Sequence, residues 1–101
     1  MAIFWIEEHI IDRYVLRAIR RTGLSYDKHI LQETWVELFV DRILTRPHQK
    51  PPDLDVIYGS LQRLSAKGCI EKYVLPGADH PIRYRVRLYQ PSEHICVEPE
   101  V

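Results

Sequence analysis

The chain is short of several things, and each shortage excludes a class of protein. It has no surplus of either charge, because 14 Lys and Arg balance 14 Asp and Glu, for a formal net charge of +0. Many nucleic-acid-binding domains are basic, so any positive field here must come from uneven placement of cations. It has only two cysteines, Cys69 and Cys96, without the spacing of a disulfide framework. Reduced thiols and a cytoplasmic location are the expectation, with a single disulfide between the two as the alternative. No apolar run approaches the ~18 residues that a membrane-crossing helix needs. The opening "MAIFWIEEHI" lacks a basic n-region, and Glu7 and Glu8 follow Ile6 at once, so it does not read as a secretory signal. There is no glycine-rich phosphate loop and no serine-elbow motif. The five histidines, His9, His29, His48, His80 and His94, are scattered, none at ligand spacing with a cysteine. No residues resemble a catalytic constellation. A non-enzyme without metal or cofactor is expected.

What is present is ordinary globular material, with 46% hydrophobic and 28% charged residues in 101 positions. That allows one domain over residues 1–101 with one core. Ile10, Ile11, Tyr14, Val15 and Ala18 recur at helical steps and predict a first helix from Glu8 to Arg21, stopped by Gly23. Arg17, Arg20 and Arg21 suit its negative end, and with Arg13 they read as a solvated surface. Ser25 is the expected cap of a second helix, with Ile30, Leu31, Trp35, Leu38, Phe39, Ile43 and Leu44 as its apolar positions. One helix of roughly 18 residues, or two shorter ones broken near Glu33 and Thr34, would fit. The proline-rich "TRPHQKPPD" ends it as an exposed loop.

Asp53 can cap a third helix whose Leu54, Ile57, Tyr58, Leu61 and Leu64 share one face, with Gly68 closing it. Cys69 to Leu75 reads as a strand and "PGADHP" as a turn. In "IRYRVRLY", Ile82, Tyr84, Val86 and Leu88 alternate with Arg83, Arg85 and Arg87, the pattern of a half-buried strand. The two strands form a hairpin, with room for a short extra strand. Residues from about 90 to 101 make an acidic tail containing Glu93, Glu98 and Glu100. Three helices followed by a hairpin predict an α+β winged helix-turn-helix, a three-helix bundle with a C-terminal β-hairpin wing.

The string "LDVIYGSLQRLSAKGCIEKY" resembles the recognition-helix segment of PadR-like winged-helix regulators. The order of Tyr58, Leu61, Arg63, Leu64, Gly68, Cys69 and Ile70 carries the likeness, and "HPIRYRVRLY" is similar to the family's wing. The resemblance covers roughly the second half of the chain. It implies a transcriptional regulator that binds double-stranded DNA as a homodimer.

On that reading, the third helix enters the major groove with Val56, Gly59, Ser60, Arg63 and Lys67. Gly59 and Ser60 allow close approach, Arg63 reaches a guanine or a phosphate, and Val56 meets a thymine methyl. Asp53 and Asp55 oppose it, and the plain alternative is a solvated helix face. Arg83, Arg85 and Arg87 share one strand face, and with His80 at the tip they make a cationic stripe for the backbone or minor groove. The plain alternative is an edge strand charged against aggregation, with Glu71 as cross-strand partner. Trp35 is expected in the core. Ile3, Phe4, Trp5 and Ile6 are expected to form a dimer contact. Zero net charge and the acidic tail favour a second reading, a winged-helix protein–protein interaction module without DNA binding.

Overall fold

A computed structural model describes residues 6–44 and 50–87. Ile3, Phe4, Trp5 and the acidic tail lie outside the described residues. Three helices are followed by an antiparallel hairpin: α1 Glu8–Thr22, α2 Asp27–Val40, α3 Leu54–Ala66, β1 Ile70–Val74 and β2 Ile82–Val86. This is the α+β winged-helix arrangement.

Helix α1 forms because Ile11, Tyr14, Val15, Ala18 and Ile19 recur at three- and four-residue steps, and all five are buried. Glu8 lies in its first turn and Arg20 and Arg21 in its last, matching the helix dipole. Gly23 stops it at φ 81°, a left-handed conformation that glycine adopts freely, and its amide bonds Ile19 O.

Helix α2 is a single unbroken element, shorter than expected. It ends at Val40 because Arg42 turns left-handed, at φ 59°, which brings the amides of Ile43 and Leu44 back onto Leu38 O at 2.9 and 3.2 Å. Its N-cap is Tyr26, whereas Ser25 bonds His29 Nδ1 at 2.7 Å and pairs with the sheet. Ile30, Thr34, Glu37 and Leu38 face the core. Trp35 is exposed and donates its indole N–H to Pro52 O at 2.6 Å, so the expectation of a core tryptophan is corrected. The helical period admits one apolar side to a small bundle, and Ile30 and Leu38 occupy it.

The Asp53 carboxylate accepts from Val56 N at 3.1 Å and caps α3 as expected. The hairpin pairs Ile70 with Val86, Glu71 with Arg85, Lys72 with Tyr84, Tyr73 with Arg83 and Val74 with Ile82. Gly77, at φ 87°, lies in the connecting turn, and Leu75 N bonds Pro81 O at 2.7 Å across its base. A bridge between Ser25 and Tyr84 adds a third, one-residue rung on the other side of β2. Strand β2 is therefore paired on both sides at Tyr84, so it is not simply a charged edge. The core gathers α1, α2, α3, Cys69 and Ile70, with Tyr84 and Val86 packed against it from the sheet. Cys69 is fully buried at the head of β1; Cys96 lies outside the described residues.

Charge ties α1 to α2. Tyr14 OH donates to Asp41 Oδ2 at 2.6 Å, and Arg17 Nη1 donates to the same oxygen at 2.8 Å. These two bonds hold the Asp41 carboxyl below its ordinary pKa, that from Tyr14 most strongly. Arg21 pairs with Glu33 and Glu37. The arginines of α1 thus include interhelical ties as well as solvated surface.

Candidate nucleic-acid interface

Helix α3 has three sides. Ile57, Ser60, Leu61 and Leu64 are buried. Tyr58, Gln62 and Ser65 stand out on a second side and face the hairpin across a groove completed by Lys72, Ile82 and Tyr84. The groove continues toward the wing tip, where Asp27, Lys28, His80 and Pro81 join Tyr58 and enclose about 250 Å³. Among the described residues, the side chains of Gln62, Ser65 and Lys72 carry no hydrogen bond or ion pair, so their donors and acceptors are available. Tyr58 is anchored: its hydroxyl donates to Asp27 Oδ2, and this bond, more than burial, pushes its pKa up to about 12.

The third side of α3 faces α1. Arg63 donates to both Asp12 oxygens, with Nη2 to Oδ1 at 2.8 Å and Nε to Oδ2 at 3.0 Å, and reaches Glu8 at 3.3 Å. The Asp12 bonds raise the Arg63 pKa above its ordinary value. Such a two-pronged pair fixes the guanidinium plane. Arg63 is consequently an interhelical clamp in this structure, which corrects its expected role at a base edge. Gly59 lies under it: a Cβ there would come within 3.4 Å of Arg63 Nη1.

Ser60 is 0% exposed and its hydroxyl has no partner, so a contact with DNA is excluded. Val56 is half-buried in a small apolar hollow with Ile6, Ile11, Pro51 and Pro52, which corrects its expected place over a thymine methyl. Lys67 is exposed at the C-cap of α3. The expected readout face therefore lies about 150° round the helix from the exposed Tyr58–Gln62–Ser65 side. Tyr58, assigned to the core from its spacing, is 41% exposed. The signal available for the true face was the Gly59-Ser60 pair: two small residues in a helix mark close packing against a neighbour.

The arginine ladder is real, but it lies on the far face of the hairpin. Tyr84 and Val86 take the helix-facing side, so strand alternation sends Arg83, Arg85 and Arg87 to the other. There Arg83 bonds His80 O at 2.9 Å and stands 5.1 Å from the centre of the Tyr26 ring, which stacks on His80 at 3.8 Å. Arg85 bonds Tyr73 OH, lies over that ring at 4.8 Å, and approaches Glu71 to 3.9 Å. The expectation that these arginines flank the exposed side of α3 is corrected: the sheet separates them from the groove.

Among the described residues no helix is long and apolar enough to cross a membrane, and no cluster of His, Cys, Asp or Glu is arranged to hold a metal. The geometry defines a winged-helix protein with an open groove between its third helix and the hairpin. Its structure is similar to the crystal structure of Pex from Synechococcus sp. strain PCC 7942 (Anacystis nidulans R2), with a TM-score of 0.50 and 24% identity over 83% of this chain and 69% of that one. At that identity the likeness speaks to the fold alone. No protein-family model matches the chain, and no curated protein does.

Proposed function

We propose that this protein is a PadR-like transcriptional regulator that binds double-stranded DNA sequence-specifically as a homodimer. The observation that carries the reading is the Tyr58–Gln62–Ser65 stripe. It is one helix face on which Gln62 and Ser65 carry free polar groups, whereas Arg63 of the same helix is committed to α1. Gln62 has the bidentate amide that reads adenine in the major groove, and Ser65 is a further donor and acceptor. Lys72 and Lys28 supply phosphate contacts at the groove margins, and Lys67 supplies one at the helix end. His80 contributes at the wing tip.

A protein-interaction module without DNA binding is favoured by one observation. Asp27, Asp53 and Asp55 cluster around the leading end of α3, where they repel phosphate. One experiment separates the readings. Selection from a random duplex library, followed by fluorescence anisotropy across a salt series, is expected to yield one enriched motif. Its log affinity should fall with log salt at a slope of about −3 to −5, the value for a few phosphate contacts. No enrichment and no binding at low salt would assign the groove to a protein partner.

A further inference from the structure

Helix α2 is apolar on two sides, and only one of them is covered. Ile30 and Leu38 are 0% exposed in the core, whereas Trp35, Val36, Phe39 and Val40 stand on the opposite side at 36%, 45%, 57% and 68% exposure. From these fractions the four side chains leave roughly 400 Å² of contiguous apolar surface in water, within the range of the largest patches on monomers, which are often functional. We infer that this stripe is a self-association surface, on which the α2 helix of a second copy packs across a two-fold axis.

Three features select a second copy as the occupant. The stripe carries no charge, so placing it against itself creates no repulsion, as an isologous interface requires. The area is proportionate: a standard interface takes about 800 Å² from each partner, so the stripe fills the apolar centre and leaves a polar rim to Gln32, Asp41 and Arg42, all exposed beside it. The surface is also fixed in place, since the Trp35 indole is held by Pro52 O and cannot fold away. Pairing there leaves the groove free. The stripe is centred about 15 Å along α2 from Asp27, the residue that anchors Tyr58 at the groove.

The inference deepens the homodimer part of the proposed function and stands on the apolar face and not on DNA binding: a failure to bind duplex leaves it intact, whereas a monomer overturns it together with the homodimer. Its test is the mass of the full chain in solution by light scattering during size-exclusion chromatography. Twice the chain mass of 12.0 kDa is expected for the wild type. Phe39→Glu and Val40→Glu are expected to run as folded monomers, with unchanged helical circular dichroism and dimer dissociation constants raised at least about 100-fold. Should Phe39→Glu fail to fold, Val40→Glu decides, because Val40 is the more exposed. A mixture of Val36→Glu and Val36→Lys chains is expected to recover dimer that neither forms alone. The triple change Ile3→Ser, Phe4→Ser, Trp5→Ser is expected to leave the dimer intact. A monomeric wild type, dimers that persist with glutamate in the stripe, or a dimer lost only in the amino-terminal triple variant would each overturn the assignment.

Discussion

The two faces of the hairpin, one residue apart in the sequence, treat their polar groups in opposite ways. On the outward face Arg83 and Arg85 are engaged by Tyr26, Tyr73, Glu71 and the carbonyl of His80. On the helix-facing side Lys72 shares a groove with Gln62 and Ser65, and none of the three has a partner among the described residues. The outward face holds more cations, but two of its arginines are committed to neighbours; the side chains of Gln62, Ser65 and Lys72 in the groove carry no such commitments among the described residues. A row of arginines is therefore not by itself a binding surface. A guanidinium stacked on its own tyrosine must give up that contact before it reaches a phosphate, whereas a solvated amide on a helix exchanges only water.

That contrast can be broken by mutation. The largest effect is expected from Gln62→Ala with Ser65→Ala. It should weaken binding to the selected motif about 10- to 100-fold and flatten sequence preference, measured by anisotropy against single-base variants of the motif. An unchanged preference would remove the groove from the interface. Next comes Arg63→Ala, expected to lower stability by about 2 kcal/mol through loss of the Asp12 clamp, read by urea denaturation, with sequence preference retained. If preference changed while stability held, Arg63 would be a reader after all. Lys72→Ala should reduce the salt slope by about one, with a uniform loss of affinity. Arg83→Ala with Arg85→Ala should change affinity by less than about threefold; a loss on the scale of the Gln62 variant would move the interface to the outward face. The smallest expected effect concerns the Tyr58–Asp27 bond. The folded pKa of about 12 lies above the ordinary 10.0, so the folded state holds its proton more tightly than the unfolded chain. Stability from this bond is full below pH 10 and is lost as pH rises from 10 to 12. Tyr58→Phe should remove that part of the alkaline slope in pH-dependent melting.

Local signals in the sequence were dependable where one side of an element decides everything. The apolar stripe of α1, the Asp53 cap of α3 and the inward placement of Tyr84 and Val86 in β2 are present in the structure, although Ile82 at the start of β2 is exposed. They failed where two sides of one helix look equally apolar. In α2, Trp35 and Phe39 match the helical period as well as Ile30 and Leu38, and periodicity cannot say which set meets the bundle. In α3, Tyr58 fits the core spacing, but its hydroxyl needs a partner, and Asp27 lies at the rim. Ser60 falls opposite the apolar stripe of α3 by spacing, yet it is 0% exposed in the structure. Replacing it by alanine is expected to be neutral or mildly stabilising, by up to about 1 kcal/mol in thermal melts, since its hydroxyl is buried without a partner.

By itself the sequence determined the order of the elements, their caps and stops, and the fact that three arginines share one strand face. Those follow from dihedral preferences and side-chain periods, which act over a few residues. Only the tertiary structure decided which face that was, which side of α3 is open, and which arginine is a clamp. Those depend on how α1, α3 and the sheet meet, and an ion pair such as Asp12–Arg63, 51 positions apart, leaves no local trace in the chain.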